Sequence, residues 1–175
     1  KGPGKRISTV NNMSEVASIT NTIFLDKAHH ETEQFNLIHS GKEWFGEVFD
    51  INLNQSFSFS FPNAISDSCI KIDVSFAARA PGNTSATITS GNGTIPFSFN
   101  GTSGSTSDFA RLANSSMCVN GNSNPTVQIA YNKHGFSDAK AWLNYITLNA
   151  WRNLIHTGNQ MHFSNPNIKN HAFAR

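Results

Sequence analysis

Apolar and polar residues alternate strictly through the middle of the chain. In QSFSFSFP (55–62), Phe57, Phe59 and Phe61 fall on one side of an extended backbone, and Ser56, Ser58 and Ser60 on the other. Successive side chains of a strand point to opposite faces, so this spacing predicts a strand with one face in a core and one in water. CIKIDVSFAARA (69–80) repeats the pattern, with Ile70, Ile72, Val74, Phe76 and Ala78 inward and Lys71, Asp73 and Ser75 outward. SATITS (85–90) and TIPFSF (94–99) are shorter runs joined through Ser90-Gly91-Asn92-Gly93, whose Asn-Gly is a hairpin signal. TVQIAYN (126–132) groups Val127, Ile129 and Tyr131.

Two segments are less regular. DAKAWLNYITLNAWRNL (138–154) can be read at period 3.6, but it also alternates, with Trp142, Asn144, Ile146 and Leu148 set against Leu143, Tyr145 and Thr147. Its aromatic and β-branched content favours a long strand. DKAHHETEQFNLI (26–38) is the one stretch with helical character, and Asp26 would be its N-cap. Gly- and Asn-rich turns, such as NGTSGSTSD (100–108) and VNGNSNP (119–125), punctuate the strands. The expected fold is all-β, a jelly-roll-like antiparallel sandwich with at most one short helix. Residues 1–22 read as a linker or N-terminal extension, and 23–175 as a single domain.

Composition narrows the function. Charged residues make up 14% of the 175, the net charge is +2, and the one basic cluster is KGPGKR at the start. Nucleic-acid binding, which needs clustered Lys and Arg, is therefore not expected. No apolar run is long enough for a membrane span. The chain opens on Lys1-Gly2-Pro3-Gly4 without a signal peptide and reads as a piece of a larger protein. Abundant Asn, Ser and Thr suit a secreted or surface domain. Several triplets, including those at Asn83, Asn92 and Asn100, match the N-glycosylation pattern, but such a composition makes them by chance. Cys69 and Cys118 form either one disulfide or two unpaired thiols.

Little here carries catalysis. His29 and His30 are adjacent, so they point in different directions, and His30-Glu31-Thr32-Glu33-Gln34 ends in Gln where a zinc-binding HExxH needs His. No cysteine has a neighbouring His to act as base, and there is no GxSxG elbow, P-loop or GxGxxG. No catalytic, metal or cofactor site is expected. The aromatic residues Trp44, Phe45, Trp142 and Trp151 remain as candidates for an interaction surface or interface. In a row they would form a carbohydrate platform; otherwise they fill a core or a seam with a neighbouring domain. Gly41 and Gly46 are expected where the backbone turns sharply or approaches another chain segment closely.

Three stretches together carry a family resemblance. FNLIHSGKEWFGEVFD (35–50) resembles the N-L-I-x-S-G-[KR]-x-W-F-G-E-x-F signature of PorU-type proteins, the gingipain-like (C25) cysteine peptidases of type IX secretion in Bacteroidota. IDVSFAARA (72–80) is similar to a strand of that family. AWLNYITLNAWRNL (141–154) with MHF (161–163) resembles a later segment, with Asn144 where Asp is usual and Trp151 where Arg is common. The resemblance implies a β-sandwich that precedes the peptidase domain, and a strand at 141–154. The parent would be an exported outer-membrane or cell-surface sortase, acting in proteolysis of secreted cargo. This chain would be a non-catalytic module that positions the peptidase domain or contacts secretion partners or cargo. The alternative is a carbohydrate-binding β-sandwich module.

Overall fold

The computed structural model describes residues 19–168. The expected linker lies mainly outside the described residues, as does the C-terminal end of the proposed domain. Nine strands form two antiparallel sheets, in agreement with the all-β sandwich expectation. They are β1 (Ile23–His30), β2 (Val48–Phe49), β3 (Asn54–Ser58), β4 (Cys69–Arg79), β5 (Thr84–Ser90), β6 (Gly93–Phe99), β7 (Arg111–Asn120), β8 (Thr126–Asn132) and β9 (Lys140–Asn153). The first sheet runs β1-β9-β4-β7, with β2 also paired to β9; the second runs β3-β8-β5-β6.

The inward rows are those the alternation predicts. Ile72, Val74 and Phe76 of β4 meet Phe97 and Phe99 of β6 and Ile129 and Tyr131 of β8 in one core. Phe76 is its hub, with ring centroids 5.1 Å from Phe49, 6.0 Å from Phe99 and 6.2 Å from Tyr131. Burying each such side chain stabilises the fold by about 1.5–3 kcal/mol. The β5–β6 hairpin closes through Gly91-Asn92, with Gly91 at φ 53°, a left-handed geometry that glycine tolerates. Its outer strand, β6, lies at a sheet edge and carries Pro96, which blunts that edge.

Two expectations are corrected. Residues 26–38 are not helical: 23–30 form β1, paired with β9 from Ile23↔Asn153 to His30↔Ile146. The pattern misled because the inward row of β1 is Phe24, Asp26, Ala28 and His30, half of it polar. Each polar member has a partner. Asp26 pairs with Arg152, which is only 5% exposed, also donates to the Pro62 carbonyl and lies over the Phe24 ring. The expected N-cap is thus one half of a largely buried ion pair. Among the described residues there is no α-helix, only 3-10 turns at Thr106–Asp108 and Pro166–Ile168.

The second correction concerns β9. It is a strand, but its alternation is not continuous. Tyr145 faces Ser75 and Leu143 faces Phe76, so Asn144 is an extra residue, a β-bulge. Trp142 therefore shares the outer face with Tyr145 and Thr147, while Leu143, Ile146 and Leu148 enter the core. Cys69 and Cys118, on neighbouring strands β4 and β7, are joined as a disulfide with Cα atoms 5.5 Å apart.

Candidate functional site

β1 ends at His30 and β2 begins at Val48, and both lie along the same edge of β9. The 31–47 segment between them leaves that edge and folds over the outer face of the first sheet. Its neck is a mutual pair: Phe35 N–H donates to the Phe45 carbonyl (2.8 Å) and Phe45 N–H to the Phe35 carbonyl (2.9 Å). Gly46 N–H then donates to the Leu143 carbonyl and Leu143 N–H to the Glu47 carbonyl, which returns the chain to β9. At the tip, His39 (φ 54°) and Gly41 (φ 71°) reverse the backbone. Asn36 Oδ1 accepts from Ser40 N–H. Gly46 is needed for space, because a Cβ there would run into the Thr32 hydroxyl and carbonyl. Both glycines thus sit where the sequence placed a sharp turn or a close approach.

The loop changes what the outer face is. Phe45 (6% exposed) packs on Trp142 (6%) and Ala77 (1%), with Leu37, Val48 and Phe109 around them. Phe109 lies 6.3 Å from the Trp142 ring, and the Arg79 guanidinium sits 4.7 Å over the Phe109 ring. This second cluster explains Ser75, which faces outward as predicted yet is 1% exposed. The bulge supplies the polar latch. Asn144 donates through Nδ2 to Glu43 Oε1 (2.9 Å) and to Ser75 Oγ (3.2 Å), tying the loop to β9 and β4. An aspartate at this position, ionised, could not donate to Glu43.

On this frame stands an exposed apolar set. Trp44 is 41% exposed, Phe35 40%, Ile38 44% and, on β7, Leu112 46%. A groove of about 470 Å3 lies between the loop and the start of β7, lined by Leu37, Ile38, Phe45, Ala77, Phe109 and Leu112. Lys42 also borders the groove and has no ion-pair partner among the described residues. Asp108, beside Phe109, accepts from the Ser103 N–H and pairs with Arg111, which together hold its carboxyl below the usual range. Just after β2, Asp50 is held low by hydrogen bonds from Lys133 and Lys140.

The four candidate aromatics thus divide. Phe45 and Trp142 meet in the second cluster, Trp44 projects outward, and Trp151 lies elsewhere. Trp151 pairs with Leu25, nine positions along β9 from Trp142 and so roughly 30 Å away. The three indoles form no row. The histidine cluster also divides. His29 points outward to Thr147 Oγ1 (2.7 Å) and Glu31 (3.0 Å), while His30 points inward, packs at a tilt against Phe57 with ring centroids 4.8 Å apart and meets Glu47 at 2.8 Å. Among the described residues no three His, Cys, Asp or Glu side chains are grouped to hold a metal. Sequence reasoning missed Leu37, Ile38, Phe109, Leu112 and the Asn144–Glu43 latch. Adjacent apolar residues in a loop, Leu37-Ile38, were the one available signal.

No family model and no curated protein matches the chain. Among solved structures, dimeric latent PorU from Porphyromonas gingivalis matches with TM-score 0.68 and 18% identity, over 89% of this chain and 15% of that one. The CBM36-1 domain of a multidomain xylanase from a Trinervitermes trinervoides hindgut metagenome matches with TM-score 0.44 and 13% identity, over 77% of this chain and 100% of the module. A family 35 carbohydrate-binding module from Clostridium thermocellum gives TM-score 0.42 and 12% identity, over 73% and 98%. In fold, the chain is similar to a segment of PorU, and it spans about 15% of that protein's length.

Proposed function

We propose that this chain is a non-catalytic β-sandwich module of a PorU-like cysteine peptidase or sortase of type IX secretion. Its task is to pack against the neighbouring peptidase domain, or to contact secretion partners or cargo, through the 31–47 loop. The observation that carries the reading is the loop itself: a buried frame of Phe45, Trp142 and Asn144 that holds Trp44 in solvent. Interfaces are enriched in such aromatic anchors. The family signature and the PorU-like fold support the choice of parent.

Two further observations fit. Both cysteines of the chain are consumed by the disulfide, which leaves no thiolate nucleophile and suits an exported, oxidising setting at the cell surface. Among the described residues no helix is long and apolar enough to cross a membrane. The carbohydrate-binding alternative lacks the aligned indole platform that would favour it, since Trp142 is buried and Trp151 lies apart. A peptidase assay on the isolated chain tests the non-catalytic assignment. No cleavage above background is expected; cleavage abolished by Cys69→Ala or Cys118→Ala would overturn it.

A further inference from the structure

The two sheets do not treat their far edges alike. β6, the edge of the second sheet, carries Pro96, whereas β7, the edge of the first, is RLANSSMCVN, ten residues with no proline and one charge, Arg111. Among the described residues, the backbone of Arg111–Val119 hydrogen-bonds only to β4, so its outward N–H and C=O groups are unpaired. Near its end the strand is sheltered: Gly93 lies beneath Val119 and Met117, and Asn92 Oδ1 accepts from Asn120 N–H. The open part is 111–116. An unblunted edge of this kind is a template for strand pairing.

The open part of β7 also borders the apolar groove. Leu112 is both an edge residue and a wall of the groove, with Phe109 just before it and Leu37 and Ile38 opposite. Main-chain partners along an edge, beside a pocket for a side chain, are the two components of peptide recognition by strand addition. Charge defines the occupant further. Arg111 is engaged by Asp108 and Arg79 by Phe109; Glu43 keeps its charge but its Oε1 is held by Asn144, so among the described residues Lys42 is the charged side chain at the groove that has no partner.

We infer that β7 and this groove bind an extended peptide segment by strand addition. One apolar side chain of the segment fills the groove, and a nearby carboxylate pairs with Lys42. This deepens the contact-module reading and rests on it, by naming an extended acidic-apolar segment as what the face receives.

The test titrates synthetic peptides of about ten residues into the chain. They alternate Thr and Val around a central Phe followed by Asp; one control carries Lys in place of Asp, another an N-methylated central residue. Binding is read by fluorescence anisotropy and by amide hydrogen exchange. The expected result is slowed exchange confined to 111–116 and the loop. Affinity for the Asp peptide should exceed that for the Lys peptide by about tenfold, and N-methylation should abolish binding. Leu112→Asp, at an exposed position that leaves the core intact, should also abolish it, and Lys42→Glu should reverse the Asp/Lys preference. No slowing in 111–116, or binding indifferent to N-methylation and Leu112→Asp, overturns the inference. Trp44 does not line the groove, so Trp44→Ala should leave peptide affinity unchanged within about twofold. Loss of domain contact on Trp44→Ala beside a blank peptide series would sink strand addition and leave the contact reading standing.

Discussion

Within one signature stretch, adjacent aromatics have opposite roles. Phe45 is 6% exposed and Trp44 41%, so they separate stability from contact. Phe45→Ala should cost about 3–5 kcal/mol in urea unfolding, whereas Trp44→Ala should cost about 1 kcal/mol or less. Equal losses would place both in the core. Asn144 gives a sharper prediction, because it donates to Glu43 and Ser75 where an ionised aspartate cannot. Asn144→Asp should lose about 2–3 kcal/mol at neutral pH, and the loss should shrink in acid, where two carboxyls no longer face each other as like charges. A penalty independent of pH would show that the latch does not act through charge. Asp50 titrates in the ordinary way for a paired carboxylate. Its folded pKa lies below the unfolded one through Lys133 and Lys140, so its contribution is complete above the unfolded pKa of about 4 and is lost as pH falls through the folded one. Melting curves of the Asp50→Asn variant should therefore lie below wild type at pH 7 and converge with it in strong acid.

Among the elements, those with a clean two-residue period were legible: β4 and the Phe57-Phe59-Phe61 row follow directly from side-chain alternation. β1 was not, because Asp26 and His30 occupy inward positions and their partners, Arg152 and Glu47, are 126 and 17 residues away. β9 was legible as a strand but not in register, since a bulge at Asn144 leaves no local mark. The loop signature was visible, yet its attachment was not: Glu43 and Asn144 are 101 residues apart. Two predictions belong here. Gly46→Val should lower the melting temperature by forcing Thr32 aside, and Gly41→Val should do so through backbone strain at φ 71°. An unchanged melting temperature in either variant would refute its assignment. Reduction of Cys69–Cys118, which ties β4 to β7 across a 49-residue separation, should cost about 2–4 kcal/mol in chemical unfolding. No change on reduction would mean that the β4–β7 ladder alone sets that stability.

The whole molecule is a sandwich with a conventional core and one unusual face. On that face a loop from the β1–β2 edge crosses the first sheet, buries a second small cluster and leaves Trp44 outside. The polar latch and the apolar clasp hold the loop in place, and the proposed role is contact with a neighbouring domain. The most direct measurement is the affinity of this chain for a PorU-like peptidase domain, its proposed neighbour, wild type against Trp44→Ala, with melting temperatures recorded for both. The account predicts a loss of affinity of about tenfold or more with a nearly unchanged melting temperature. Unchanged affinity, or a drop in melting temperature as large as that of Phe45→Ala, would contradict it.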